Sequence, residues 1–392
     1  MKNKYLIGII ILILGSLNMV ACKQKKNSES GKTKTAVMVN ATDTAIPPKI
    51  SREFIDRLEY LGVILDRPDY HTWGTSVVQG DDGKYHMYAC QWLTEYGFGA
   101  WDVESEVNYF IAENPEGPYS FVKNIIPSRP GGDKEGVWNR YTAHNPEVKR
   151  IDGKYVLTYL SYPGINTGAE GKIGLRIAEK PGGPWKDCGM IMQKSLVEGV
   201  PSYSSLRGTD NPSLVKYNDK YYLFFMYCPR LYEIDGRLMD NTSLGVAVAE
   251  SLEGPYIEHM VPVFAPPPGK KVEDLCAFVS EDGNIVATMC DNFGMYAENG
   301  GIYCEMDQSH FTKTGEIKLT PTSVAWETRP VMFPEQDFSK GKAVYANNKF
   351  ERPKVIKVDG VPAYMFLPSG FNAEGNPWTV LHGFRIQPEN SN

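Results

Sequence analysis

Along the body of the chain, short runs of apolar and aromatic residues follow polar turns at regular intervals. Asp82-Gly83-Lys84-Tyr85-His86-Met87-Tyr88, Asp152-Gly153-Lys154-Tyr155-Val156-Leu157 and Asn218-Asp219-Lys220-Tyr221-Tyr222-Leu223 each place a polar turn before a β-forming run, the pattern of a hairpin. The three turns stand about 70 residues apart, and weaker copies follow at Asp282-Gly283-Asn284 and Asp359-Gly360-Val361. Two further marks keep the same phase. Gly117-Pro118-Tyr119, Gly183-Pro184-Trp185 and Gly254-Pro255-Tyr256 close units whose preceding strand ends in Ala and Glu, at Ala112-Glu113, Ala178-Glu179 and Ala249-Glu250. Asn145-Pro146 and Asn211-Pro212 open units. Each unit therefore reads as four strands with turns between them. Helical periodicity is confined to Ser51 to Tyr60, where Phe54, Ile55 and Leu58 alternate with charged residues and predict a short amphipathic helix.

Repeats of this length, each holding four sequential strands, have the content of propeller blades. Five copies of about 70 residues account for most of the 392. The pattern predicts an all-β fold, a five-bladed β-propeller with four antiparallel strands per blade. The competing architecture is two β-sandwiches in tandem. A hydrophobic share of 42% excludes a disordered chain, and the net charge of −6 argues against a nucleic-acid partner held through its phosphates.

The first residues stand outside this pattern. Lys2 and Lys4 precede an apolar run from Tyr5 to Leu14, the form of an export signal and too short for a membrane span. Met19-Val20-Ala21-Cys22 resembles a bacterial lipobox, which makes Cys22 the lipidated first residue of the mature chain; the alternative is an ordinary signal peptide with a chance cysteine. Lys23 to Pro48 is polar and reads as a tether. The expected organisation is a signal peptide over residues 1–21, a flexible tether over 22–50 and a single propeller domain over 51–392. No acidic cluster follows Cys22, so the expected location is the outer membrane, facing the periplasm, with the lipid as the only membrane contact. The other six cysteines show no CxxC pair and no metal-ligand spacing, and Cys90, Cys228 and Cys290 read as buried free thiols.

The Asn-Pro strand openings, the DGKY-type turns and the closing Gly-Pro-aromatic triplets resemble the five-bladed propeller glycoside hydrolases of family 43 and its family 117-type relatives. The resemblance is closest from His71 to Tyr256. It implies an exo-acting, inverting glycosidase of β-xylosidase or α-L-arabinofuranosidase type, acting on oligosaccharides from plant or algal polysaccharides. Such an enzyme uses an early Asp as general base, a middle Asp that orients, and a later Glu as general acid. No cofactor is required, although an axial Ca²⁺ or other ion is compatible with the resemblance.

Carried onto this chain, the middle Asp falls on Asp210, ahead of Asn211-Pro212, and the acid on Glu273, with its neighbour Asp274 as the other option and otherwise a substrate contact. The first unit departs from the pattern, because His71-Thr72-Trp73-Gly74 holds no Asp. Asp69 is the nearest candidate base, with Asp66 further off and Asp102 able to reach in from a loop. An amide cannot exchange a proton, so Asn145 and Asn211 are expected to bind sugar hydroxyls, with His144. Arg352 can hold a uronate or sulfate, or pair with an acidic neighbour. His382 is an outside candidate for the acid, and Trp73, Trp92 and Trp101 can offer stacking faces, Trp73 alone being placed near the axis by its motif. A non-catalytic glycan-binding lipoprotein on the same scaffold is the alternative, motivated by the missing Asp.

Overall fold

In the computed structural model each repeat becomes an antiparallel sheet. The structure describes residues 49–50, 56–132, 134–163, 171–193, 208–234, 237–258, 263–264, 266, 270–280, 283–291, 300–305, 324–327, 350–370 and 376–388. The signal peptide, Cys22 and the tether up to residue 48 lie outside these residues.

Two strands come first in the chain and join sheets formed later: β1 (Lys49–Ile50) and β2 (Leu58–Leu65). Four strands, β3 (Tyr70–Gln79), β4 (Tyr85–Leu93), β5 (Glu106–Ala112) and β6 (Ser120–Ile126), make the first sheet in simple sequence order. The second holds β7 (Tyr141–Ile151), β8 (Lys154–Tyr162), β9 (Lys172–Ala178) and β10 (Lys186–Met192). The third holds β11 (Asp210–Tyr217), β12 (Lys220–Ile234), β13 (Arg237–Ala249) and β14 (Ile257–Glu258). In the fourth, β15 (Val272–Val279), β16 (Ile285–Asp291), β17 (Gly300–Glu305) and β18 (Val324–Glu327) are extended by β1, which pairs in parallel with β18. In the fifth, β19 (Lys354–Val358), β20 (Val361–Ser369) and β21 (Val380–Ile386) are completed by β2.

Every DGKY-type turn joins the first and second strands of a sheet. The turns form because their residues tolerate left-handed backbone: Asp152 and Gly153 have φ of 51° and 75°, and Asp359 and Gly360 have 50° and 88°. The Gly-Pro-aromatic triplets join third strands to fourth, each with a cis Gly-Pro bond. Their aromatic rings wedge between sheets. Tyr119 of the first sheet packs with Ile356 and Phe366 of the fifth, and Tyr256 of the third joins a cluster containing Ile151 and Leu175 of the second. Trp185 of the second sheet meets Tyr88 of the first edge-on at 5.6 Å. The third and fourth sheets share a core built on Phe224, Val246, Leu275 and Met289. Burial of these apolar faces is the main force joining the sheets.

Two expectations are corrected at the N-terminal edge. Leu58–Tyr60, expected in a helix, begin β2, which pairs antiparallel with β21, Leu58 opposite Ile386. The ladder bonds offered by β21 outweigh the local helical pattern, as tertiary pairing commonly does; residues 51–55 are outside the described set. Lys49 and Ile50, expected as the end of a tether, pair with Val324 and Ala325.

First strands lie innermost. A cavity of about 640 Å³ is walled by residues from all five of them, among them Val77, Val148, Val215, Phe278 and Val355. It lies at the hairpin-turn end of these strands; the opposite end, where the strands begin, gathers the candidate chemistry.

Candidate active site

Four first strands carry a two-residue bulge close to their start. Register is interrupted at Trp73-Gly74, Asn145-Pro146, Asn211-Pro212 and Asp274-Leu275. The bulge turns one side chain per sheet towards its neighbours. Asn145, Asn211, Asp274 and the matching Arg352 ahead of β19 all have left-handed backbone, with φ of 47°, 49°, 62° and 51°. Asn and Asp adopt that conformation more readily than other side chains, which accounts for their recurrence here.

These four residues form a chain of hydrogen bonds across four sheets. Asn145 Nδ2 donates to Asn211 Oδ1 at 2.6 Å, and Asn211 Nδ2 donates to Asp274 Oδ1 at 2.7 Å. Arg352 Nη1 donates to the same Asp274 oxygen at 2.5 Å. In the first sheet Gly74 leaves room for Asn145, since a Cβ there would stand 2.5 Å from Asn145 Oδ1. Asn145 and Asn211, expected to meet a sugar hydroxyl, are thus bonded to one another and to Asp274. The acidic partner of Arg352 is Asp274, whose negative charge raises the guanidinium pKa against the lowering effect of burial. The axial ion that the resemblance allows does not suit this donor set. The positive charge beside Asp274 is a guanidinium of the chain itself, and among the described residues no three His, Cys, Asp or Glu side chains stand together as ligands.

One residue earlier stand Thr72, His144, Asp210 and Glu273 on β3, β7, β11 and β15, and Glu351 ahead of β19. His144 is buried with its ring against Trp101 at 4.9 Å and Trp92 at 5.8 Å, and its Nδ1 lies 2.9 Å from Ser105 Oγ. Burial, helped by the Arg352 charge, holds its pKa well below the ordinary histidine value, so the imidazole is neutral.

Asp210 is half-buried and hydrogen-bonded to the hydroxyl of Tyr162, the last residue of β8. Its position is fixed from the second sheet: Thr209 N–H donates to Gly171 O at 2.9 Å, and a Cβ on Gly171 would overlap Asp210 Oδ1. The Tyr162 pKa stands well above the ordinary value, first through burial, then through the charge of Asp210, with Asp102 adding and Arg352 opposing. Asp102 lies in the one-turn helix Trp101–Glu104, an element the strand-rich sequence reading did not anticipate. Trp101 anchors that turn by packing on Tyr162 at 5.9 Å as well as on His144. Burial pushes the Asp102 carboxyl above its usual pKa. Glu273 and Glu351 are half-buried, and both charges raise the Arg352 pKa. Asp102, Tyr162, Asp210, Glu273 and Arg352 are therefore one electrostatically linked group, one residue from each of the five sheets or its connections.

The remaining candidates lie elsewhere. Asp69 is exposed in the turn before β3, where its backbone carbonyl accepts from Thr94 N–H at 3.0 Å, and its carboxylate enters none of the described contacts of this group. His382 is fully buried on β21, its Nδ1 2.9 Å from Tyr60 Oη and its ring edge-on to Phe350 at 4.9 Å, with no surface to offer a sugar. Trp73 is 3% exposed and packs edge-on against Phe98 at 5.1 Å, a core contact rather than a stacking platform. Tyr162 was missed in sequence because a tyrosine at a strand end carries no motif.

Innermost first strands, outward sequence order and four-stranded antiparallel sheets define a β-propeller. Solved structures of similar fold include a family 117 glycoside hydrolase of the marine bacterium Zobellia galactanivorans, 14% identical, with a TM-score of 0.57 over 84% of this chain and 89% of that one. A thermostable family-43 glycoside hydrolase is 13% identical, with a TM-score of 0.55 over 84% of this chain and 94% of the other. A structure from a study of the GH130 family, described as mannoside phosphorylases that include hydrolases of β-1,2 mannosidic linkages in Candida mannan, is 11% identical, with a TM-score of 0.53 over 88% and 92%. No protein-family model matches the chain, and no curated protein matches it either.

Proposed function

We propose that the protein is a glycoside hydrolase that releases the terminal sugar of an oligosaccharide at the mouth of a ring of five blades. The observation that carries this reading is that Asp210 and Glu273 hold matching positions at the start of neighbouring first strands, with the turn that carries Asp102 packed on His144 and Tyr162 beside them. Similarity of fold to glycosidases supports it.

Glycoside hydrolysis with inversion needs one carboxyl to protonate the leaving oxygen and another to activate water on the opposite face, about 6.5–9.5 Å away. Glu273 is the proton donor. Asp102 takes the base role in place of Asp69, because the turn that carries it packs on His144 and Tyr162 beside Asp210, whereas Asp69 is exposed outside this group. Asp210, held by Tyr162, orients the ring that is attacked. The substrates are β-xylosyl or α-L-arabinofuranosyl oligosaccharides of plant or algal origin, reached from the periplasm by a protein anchored through the lipid on Cys22.

Release of monosaccharide from such oligosaccharides, followed by chromatography, tests the reading. Wild-type protein releases one sugar per event, and Asp210→Asn and Glu273→Gln abolish release while leaving the melting temperature unchanged. Full turnover in both variants would refute the site. The first sheet favours a second reading, a glycan-binding protein without turnover, because its Trp73-Gly74 bulge carries no carboxyl. Saturable calorimetric binding with no product after prolonged incubation identifies that case.

A further inference from the structure

The cavity of about 640 Å³ lies at the hairpin-turn end of the first strands, away from the carboxylates. Its innermost charged residues, Glu147 and Lys354, follow His144 and Arg352 by three and two positions, so the cavity begins roughly 7–10 Å along the strands from the candidate site. Its walls are apolar, with Val77, Val148, Val215 and Phe278, and its floor holds a buried charge cluster. Glu147 Oε1 accepts from Lys354 Nζ and from Ser213 Oγ, both at 3.0 Å. Glu147 Oε2 accepts from Leu214 N–H at 2.9 Å and pairs with Lys149 Nζ at 3.0 Å. Two ammonium groups thus face one carboxylate, whose pKa they hold below its usual value against burial.

The two lysines differ in how their protons are used. Lys149 also donates to Ser213 Oγ at 3.1 Å and to Ala277 O at 2.5 Å, which occupies all three N–H groups. Lys354 has a side chain 10% exposed and donates to Glu147 and to no other group among the described residues. A buried ammonium with N–H groups unmet is costly, and the cost is relieved by an acceptor in the cavity. At the rim, Lys216, Lys357 and Arg150 add positive charge, against Asp152 bonded to Lys216, Asp81 bonded to Arg150, and Asp359.

We propose that this cavity is a second binding site, which takes a small oxyanion (phosphate, sulfate or carboxylate) on the unmet N–H groups of Lys354. The apolar walls accommodate the body of an organic anion, and at the rim three cations balance three carboxylates, so that the anion meets no net repulsion on entry. The site opens at the end of the strands opposite the carboxylate mouth and stands whether or not that mouth hydrolyses sugars.

Isothermal titration calorimetry of the full chain in chloride buffer, with inorganic phosphate, sulfate and glucuronate in separate titrations, tests the proposal. At least one anion gives saturable binding at one site per chain, weakened at least tenfold in Lys354→Gln. Response to phosphate or sulfate alone identifies a tetrahedral anion; response to glucuronate alone identifies a carboxylate on a sugar body. Removing Lys354 leaves Glu147 with one cation fewer and can prevent folding, so the rim double variant Lys216→Gln/Lys357→Gln is measured alongside. It keeps the wild-type melting temperature and weakens binding at least threefold. No binding of any of the three anions, or unchanged affinity in the rim variant, overturns the proposal.

Discussion

Asn145 and Asn211 occupy the same bulge position in neighbouring sheets, and the amide of the first donates to the carbonyl of the second at 2.6 Å. Each reaches its partner because its backbone is left-handed, at φ of 47° and 49°. Replacing Asn211 with Ala strands the Asn145 donor, removes one bond to Asp274 and puts Ala in a conformation it disfavours. The expected loss is about 2–4 kcal/mol, read from urea unfolding, with the slope of the transition unchanged.

Arg352 and Asp274 are a buried pair, so removing one charge is worse than removing both. Arg352→Gln leaves the Asp274 carboxylate without its cation and should cost about 3–5 kcal/mol. Adding Asp274→Asn to the same chain should recover more than half of that loss. Equal stability of the single and double variants would show that the ion pair is not what holds the ring together.

Gly171 tests whether the position of Asp210 matters apart from its charge. A methyl group there overlaps Asp210 Oδ1, so Gly171→Ala must displace the carboxylate. Sugar release should fall about 10²-fold or more, as for a misplaced catalytic group, while Asp69→Asn stays within about twofold of wild type. Loss of activity in Asp69→Asn together with full activity in Asp102→Asn would return the base role to Asp69.

His71 sets a sensitivity to acid. Burial lowers its pKa to about 4, and its Nδ1 accepts from Thr379 N–H at 3.3 Å, a bond that only the neutral ring can receive. In the unfolded chain the same ring titrates near 6.5. Below that pH the unfolded state takes up a proton that the folded state refuses. Stability is therefore level with respect to His71 above about pH 6.5 and falls as pH drops towards 4, by about 1.4 kcal/mol per pH unit for one proton. His144, also held neutral by burial, adds in the same direction. Denaturant midpoints measured from pH 7.5 to 4.5 should show this decline, shallower in His71→Gln.

The hairpin turns were legible because their chemistry is local: Asp152-Gly153 and Asp359-Gly360 specify left-handed turns whatever surrounds them. The wedges were legible as a repeated triplet, although their inter-sheet role depends on Ile356, Phe366 and Tyr88, which sequence alone does not bring near. Asp210 and Glu273 could be singled out because they precede recurring strand openings. The bonding of Asn145 and Asn211 to one another and to Asp274 could not be read, since an amide serves a sugar and a neighbouring side chain equally well. Asp102 could be named only as able to reach in, and its approach depends on the Trp101–Glu104 turn, fixed by packing on His144 and Tyr162. Glu147, Lys149 and Lys354 left a trace, charged residues inside otherwise apolar first strands, which becomes a cluster only when those strands are brought side by side.

Pairing of β2 with β21 sets an order on synthesis. Leu58–Leu65 are made about 300 residues before their partner, Val380–Ile386. Until that partner arrives, the fifth sheet is incomplete and β2 exposes an unsatisfied edge open to pairing with another chain. A chain that stops short of residue 380 is therefore a sticky intermediate, and the arrival of Val380–Ile386 acts as the clasp.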